Sequence, residues 1–359
     1  MKTMKTKGII LILCLLMLLS TGCAQNKTYR YQAEFLQLFD TVTQIVGYSD
    51  SKEHFSEFAE QVRAKLEEYH RLYDIYDNYE GINNIKTIND NAGVAPVKVD
   101  ISIIDMLLFA RAAYKATGGK VNVAFGSVLS IWHDYRESGL DNPESAQLPP
   151  MEQLTEAAKH TSIDDMIIDE AASTVYLSDP LMKLDVGAVA KGYAVEQVVC
   201  YFESQGVTSL LLSVGGNVKA VGEKAETDMG SDNRWVIGIQ NPDQSSDQAY
   251  LMRLAIKGIS VVSSGNYERY YVVNGVRYHH IIDPETLFPS DYYAQVTILC
   301  RNSGLGDALS TAVFNMPLDA GRAYIESLSD VEAVWVMKDG SVEYSEGFED
   351  FDKYATVLK

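Results

Sequence analysis

Residues 184–194, Leu-Asp-Val-Gly-Ala-Val-Ala-Lys-Gly-Tyr-Ala, start as a buried strand and finish as a helix. Between the halves stand two glycines, three alanines, one aspartate and one lysine. Few folds tolerate such a junction. Its small residues let another backbone or a ligand come close, and its first helical N–H groups attract anions. Two readings fit. Either Gly187 and Gly192 permit tight strand–helix packing while Asp185 pairs with Lys191, or the bare backbone and the two charges serve a ligand.

Elsewhere the chain alternates between the same two periodicities. Phe39–Tyr48 (FDTVTQIVGY) alternates as a strand does. Glu53–Tyr73 sets Phe55, Phe58, Val62, Leu66, Tyr69 and Leu72 at helical spacing. Ser102–Thr117 reads as a helix closed by Gly118-Gly119, and Ala190–Gln205 as one stopped by Gly206. Met151–Lys159 and a segment starting at Gly306 are further helices. Strands are expected at 165–169, 174–177, 182–186, 210–214, 235–239, 251–255, 260–263, 270–273 and 295–299. Asn274-Gly275 signals a hairpin, and Ala333–Met337 with Val342–Ser345 form another. Segments 26–33, 137–150 and 223–234 are polar: a tether and two surface loops. Hairpins interspersed with helices predict an α+β fold, with mixed or antiparallel sheets and flanking helices.

The first residues read as a leader. Lys2, Lys5 and Lys7 precede an apolar run from Gly8 to Leu19, too short to span a bilayer comfortably. Leu19-Ser-Thr-Gly-Cys23 then has the form of a bacterial lipobox, although Leu19 lies one place too far from the cysteine; a plain secretory signal is the competing reading. We therefore expect a lipoprotein signal peptide over 1–22, a palmitate-bearing Cys23, a tether over 23–34 and one domain over 35–359. The location expected is the extracytoplasmic face of the cell membrane. Removing residues 1–22 takes away three lysines and no acids, moving the net charge from −19 to −22. So acidic a chain is a poor nucleic-acid binder. Cys200 and Cys300 are too few for a disulfide scaffold and are expected to be buried free thiols.

Four other segments could carry chemistry. Leu210–Val214 runs into Gly215-Gly216-Asn217, a tight turn or a seat for a phosphate. Val261-Val262-Ser263-Ser264-Gly265 puts two hydroxyls before a glycine, as a strand end or an oxygen-binding edge. His279 and His280 are neighbours in a strand, so one of them at most faces a given site, and Asp283 could orient that one or bind a cation. Asp307 and Thr311 lie four apart on a helix, hence on one face, and form an oxygen pair suited to Mg²⁺. The simpler alternative is a capping acid with an ordinary helical threonine. There is no G-x-x-x-x-G-K-S/T loop, no G-x-G-x-x-G, no C-x-x-C, no H-E-x-x-H and no G-x-S-x-G.

In order, LDVGAVAKGYAVEQV, LLSVGGNVKAVG, WVIGIQNP, SSGNYERYYVVNGVRYHHIIDPETLFP and GDALSTAVF resemble the ApbE-type FAD:protein FMN transferases. FDTVTQI, IYDNYEGINNI and KVNVAFGSVLSIWH resemble that family's earlier blocks, so the likeness covers roughly residues 35–345. It implies a T-fold-related architecture, FAD as substrate, Mg²⁺, and transfer of FMN to a threonine or serine hydroxyl of an acceptor protein with release of AMP. Some members instead hydrolyse FAD; a non-catalytic flavin-binding lipoprotein is a third reading. By resemblance, Asp185 and Lys191 contact FAD. Phe39, Tyr76 and Lys120-Val121-Asn122 line the flavin pocket, and Val261, Ser263, Ser264 and Gly265 touch the dinucleotide. Ala188 (through its carbonyl), Asp307 and Thr311 hold Mg²⁺, and His280, with Asp283 nearby, is the catalytic base. Phe39-Asp40-Thr41 stands where the family has Met-Gly-Thr, Val121-Asn122 where it has Phe-Asp, and Asn217 where aspartate is common. Phe125-Gly126-Ser127 lacks the family's usual proline.

Overall fold

The computed structural model describes residues 28–224, 233–348 and 355–358. The chain enters through β1 (Tyr29–Leu38), turns into β2 (Thr41–Ser49) and continues as helix α1 (Lys52–Tyr73). A first insert follows: α2 (Ile85–Asp90), β3 (Val97–Lys98), α3 (Ile101–Ala116), α4 (Gly126–Asp141), α5 (Met151–Ala158), β4 (Met166–Asp169) and β5 (Thr174–Leu177). Next come α6 (Ala190–Ser204), β6 (Ser209–Val214), β7 (Asn217–Gly222), β8 (Trp235–Gln240), β9 (Tyr250–Ile256) and β10 (Ser260–Gly265). The hairpin β11 (Tyr270–Val273) and β12 (Val276–His279) precedes β13 (Tyr293–Cys300), α7 (Ser303–Phe314) and α8 (Leu318–Glu326). β14 (Val331–Met337), β15 (Val342–Tyr344) and β16 (Ala355–Leu358) complete the order.

Eight strands form one sheet in the order β1-β2-β6-β7-β10-β13-β14-β15, with every neighbouring pair antiparallel. Strand alternation gives the sheet two apolar faces. On one face Ile45, Leu210, Leu212 and Val214 pack under Phe55, Val62 and Leu66 of α1 and Val195, Val198 and Phe202 of α6. Further along that face Val296, Ile298 and Trp335 pack with Leu309, Val313 and Phe314 of α7. The other face, through Val46, Ala220, Val261, Leu299 and Val334, covers the three-stranded sheet β16-β9-β8. The result is helices on a large sheet on a small sheet, an α+β arrangement as expected. No helix among the described residues is long and apolar enough to cross a membrane.

Several expectations change. Tyr29–Ala33, read as tether, belongs to β1 and pairs with Ile45–Ser49, so the polar residues there are the outer face of an edge strand. Phe39 is not in a strand: with Asp40 it forms a two-residue turn, both at φ 53°. Residues 182–186 alternate in burial but join no sheet. They are held by Asp185 N–H to the Val123 carbonyl (2.8 Å), Gly126 N–H to the Lys183 carbonyl (3.1 Å) and both polar atoms of the Asn89 amide. The expected loop at 137–150 begins inside α4, whose Gly and Ser content hides its helical period. Cys200 is exposed and Cys300 buried, and both are free. The Asn274-Gly275 hairpin forms as expected, with φ 51° and 80°, values that a tight primed turn requires. Cys23 and most of the 223–234 loop lie outside the described residues.

Candidate active site

The opening junction is packed from both sides. A Cβ on Gly192 would lie 2.4 Å from the Ser303 carbonyl and 2.5 Å from the Asp307 Cβ. Only glycine lets α6 approach α7 this closely. That approach sets the first charged pair: Lys191 Nζ is 2.9 Å from Asp307 Oδ1, and Gly192 N–H donates to Asp307 Oδ2 at 2.7 Å. Lys191 therefore does not pair with Asp185, and the simple salt bridge within the junction is not what forms. Asp185 instead accepts from Gly187 N–H at 2.9 Å, and burial raises its carboxyl above the usual range.

Asp307 is buried on α7, and Thr311 follows one turn later on the same face. The Thr311 hydroxyl has no hydrogen-bond partner among the described residues, whereas the neighbouring Ser310 bonds both the Asp307 carbonyl (2.9 Å) and Ser264 (2.8 Å). Ala188 is partly buried against the large core cluster to which Ala308 and Ala312 of α7 also belong. No group of three or more His, Cys, Asp or Glu suited to a metal occurs among the described residues. One carboxylate, one hydroxyl and a backbone carbonyl make a hard-oxygen set that fits Mg²⁺ completed by water and phosphate.

The histidine pair divides as strand geometry requires. His279 is buried, its Nε2 2.8 Å from the Ser290 carbonyl, its Nδ1 accepting from Ile281 N–H and its ring edge-on to Phe314. His280 faces the other way. Its Nδ1 is buried with no partner, and burial, with Arg269 next, pushes its imidazole down to about 3. The ring is neutral at physiological pH. Asp283 does not orient it: buried Asp283 pairs with Lys120 Nζ at 3.0 Å and accepts from Glu285 N–H, fixing the 283–288 turn.

The remaining expected residues separate into exposed groups and scaffold. Tyr76 lies against His133 with ring centroids 5.3 Å apart and the rings tilted by 35°. Phe39 donates its N–H to His70 Nδ1 at 3.3 Å and meets the His70 ring edge-on, which holds its left-handed backbone. Val121 is a core residue, and Asn122 caps Ala124 N–H and donates to the Thr161 carbonyl. Lys120 also reaches Glu285 at 3.0 Å. Of the expected β10 residues Ser264 turns toward α7, on the same face as Val262; Ser263 bonds Thr297 on the opposite face, Val261 lies in the core between the sheets, and Gly265 ends the strand.

Three residues were given no role from the sequence. Arg136 and His133, one turn apart on α4, are 2.8 Å apart, and Arg269 precedes β11. Asp185, Tyr76 and His280, on three different segments, are all acted on by the charges of both Arg136 and Arg269. The same two charges thus act on the Asp185 junction and on the histidine. No periodic or motif signal in α4 pointed to this, because the helix itself was not apparent. Cavities of about 740 Å³ beside α5 and about 1070 Å³ beside β12 lie away from these groups.

This arrangement has counterparts. Residues 39–335 match the ApbE family model. An FAD:protein FMN transferase of Klebsiella pneumoniae is 31% identical over 280 residues, 76% of this chain and 83% of its own length. That of Treponema pallidum is 32% identical over 305 residues, 81% and 82% of the two chains. The crystal structure of an ApbE protein from Thermotoga maritima superposes with a TM-score of 0.75 at 29% identity, covering 90% of this chain and 99% of that one. The flavin transferase ApbE of Vibrio cholerae, at 21% identity and a TM-score of 0.72, shares the fold. On the family match over most of its length and these identities, the chain belongs to the ApbE family.

Proposed function

We propose that this protein is an FAD:protein FMN transferase: it cleaves the pyrophosphate of FAD, passes FMN to a serine or threonine hydroxyl of a target protein and releases AMP. The observation that carries this reading is His280, a neutral imidazole whose buried Nδ1 has no partner and which faces a cluster of cations. Its relatives carry the same activity in their names.

Positioning and charge neutralisation dominate phosphoryl-type transfer. The neutral imidazole of His280 takes the proton of the acceptor hydroxyl. The hydroxyl oxygen forms the new bond to the FMN phosphorus as the bond to the AMP oxygen breaks, and AMP leaves with that electron pair. Lys191 supplies a cation to the departing phosphate. Asp307, Thr311 and the Ala188 carbonyl would hold Mg²⁺. The metal, when bound, offsets the charge that grows on the leaving phosphate. With water in place of the hydroxyl the same residues would hydrolyse FAD.

The leader supports an exported, membrane-anchored enzyme lipidated at Cys23, acting on acceptors at the extracytoplasmic face. To test the activity, the protein is incubated with FAD and Mg²⁺, with and without proteins that accept FMN from the relatives. Covalent flavin fluorescence on the acceptor, matched by AMP, is expected. Free FMN and AMP with no labelled acceptor would make the enzyme a hydrolase. Bound, unconverted FAD would reduce it to a flavin-binding lipoprotein.

A further inference from the structure

The β11–β12 register continues one step beyond the strands. Tyr270 pairs with His279, so Arg269 lies directly opposite His280, and His280 N–H donates to the Arg269 carbonyl at 3.0 Å. Residues opposite one another in an antiparallel pair put their side chains on one face, with Cβ atoms roughly 4.5–5.5 Å apart. The Arg269 guanidinium is thus delivered beside the His280 ring by the backbone itself. Arg269 is exposed and forms no ion pair or side-chain hydrogen bond with the described residues. The charge of Arg136 on α4 also acts on His280, and its own contacts are the imidazole of His133 and, at 3.3 Å, the exposed carboxylate of Glu137.

Two cations left largely uncompensated in a chain of net charge −19 need an anionic visitor. Lys191 and Asp307 pair at 2.9 Å across the α6–α7 interface, and His280 follows the β11–β12 hairpin. A base must stand beside the phosphorus that its nucleophile attacks. We propose that Arg269, with Arg136, binds the phosphate that stays with FMN, while Lys191 and the Asp307 end take the phosphate that leaves with AMP. Arginine suits this role because its planar fork meets two phosphate oxygens at once. The same placement keeps a positive charge next to His280, which disfavours its protonation and leaves it able to accept a proton. This rests on the FMN-transfer reading for which group is attacked; the phosphate contact itself does not require turnover.

The test separates the two. Binding of riboflavin, FMN and AMP is measured by flavin fluorescence and calorimetry for the wild type, Arg269→Gln, Arg269→Lys and Arg136→Gln. Arg269→Gln is expected to weaken FMN binding about 10- to 100-fold, the loss of a charge-assisted contact, and to leave riboflavin and AMP unchanged. Arg269→Lys should recover part of the loss, because the charge returns without the fork. Arg136→Gln should follow the same ligand pattern more weakly. Equal weakening of riboflavin and FMN, or weakening of AMP instead, overturns the assignment. Unchanged FMN binding in a variant that still transfers FMN overturns it while leaving the proposed function intact. A wild type that binds FMN through Arg269 yet never labels an acceptor overturns the function and leaves the phosphate contact standing.

Discussion

Lys191 Nζ and Asp307 Oδ1 are 2.9 Å apart across the α6–α7 interface, and the next residue, Gly192, fills the carboxylate's other oxygen at 2.7 Å. One carboxylate is thus held by two consecutive residues from the start of a neighbouring helix. Asp185, at the opposite end of the same junction, accepts from Gly187 N–H instead, within range of the charges of His133, Arg269 and Arg136. The two charges of the junction therefore serve different places.

Asp307→Ala removes the only carboxylate of the expected metal set. AMP release should fall by on the order of a hundredfold or more, and excess Mg²⁺ should not restore it. Initial rates across a Mg²⁺ titration decide the matter. An Asp307→Ala enzyme with wild-type rates at limiting Mg²⁺ would take Asp307 out of the ligand set.

Gly192→Ala tests the close approach. The new methyl would collide with the Ser303 carbonyl and Asp307 Cβ, both at about 2.5 Å or less. Neither is the tip of a flexible side chain, so the two helices must separate. A loss of about 1–3 kcal/mol is expected, read by urea unfolding, together with reduced turnover as Asp307 moves. Wild-type stability would mean that α6 and α7 have slack that the structure does not show.

Lys120 and Asp283 form an ion pair with side chains 13% and 5% exposed. Lys120→Met strands a buried carboxylate and should cost about 3–5 kcal/mol; removing both charges with Lys120→Met and Asp283→Leu should recover much of it. Burial lowers the Lys120 ammonium, but its bonds to Glu285 and Asp283 outweigh that and hold it above its usual range. A raised lysine stabilises the fold at all pH values below its unfolded value, about 10.4, and the contribution disappears as pH rises through the higher folded value. The stability gap between wild type and Lys120→Met should thus be constant from pH 7 to 9 and close only above about pH 10. A gap that closes near neutrality would point to some other group.

The sheet was legible because its strands alternate and its turns carry their own chemistry, as at Asn274-Gly275. The shared face of Asp307 and Thr311 was legible because they are one helical turn apart. What stayed hidden depended on partners distant in sequence. Residues 182–186 look like a strand but are held by Asn89 and Val123, which no local pattern reveals. Asp283 looked like a partner for His280, three residues away, yet its counter-ion is Lys120, 163 residues upstream. Arg136 was missed with its whole helix, whose core-facing positions mix Gly126, Ser127 and Gly139 with only Val128 and Trp132 as large apolar residues.

His280 supplies the last prediction. Burial and the neighbouring Arg269 hold its imidazole at about 3, far below the ordinary value near 6.5. In the free enzyme the base is therefore already neutral at pH 5. The plot of kcat/KM against pH should be flat from about pH 5 to 8 where an ordinary histidine would impose a falling acid limb, since kcat/KM reports the free enzyme. The linked stability effect has a definite sign. Below about pH 6.5 the unfolded chain binds a proton at this residue and the folded protein does not, so stability is lost as pH falls, by up to about 1.4 kcal/mol per unit. His280→Gln should abolish most transfer, leave FMN binding near wild type, and lose less stability than the wild type between pH 6.5 and 5. An acid limb near 6.5 in the wild type, or equal acid sensitivity of both proteins, would show that the histidine is protonated in the folded enzyme and is not the neutral base.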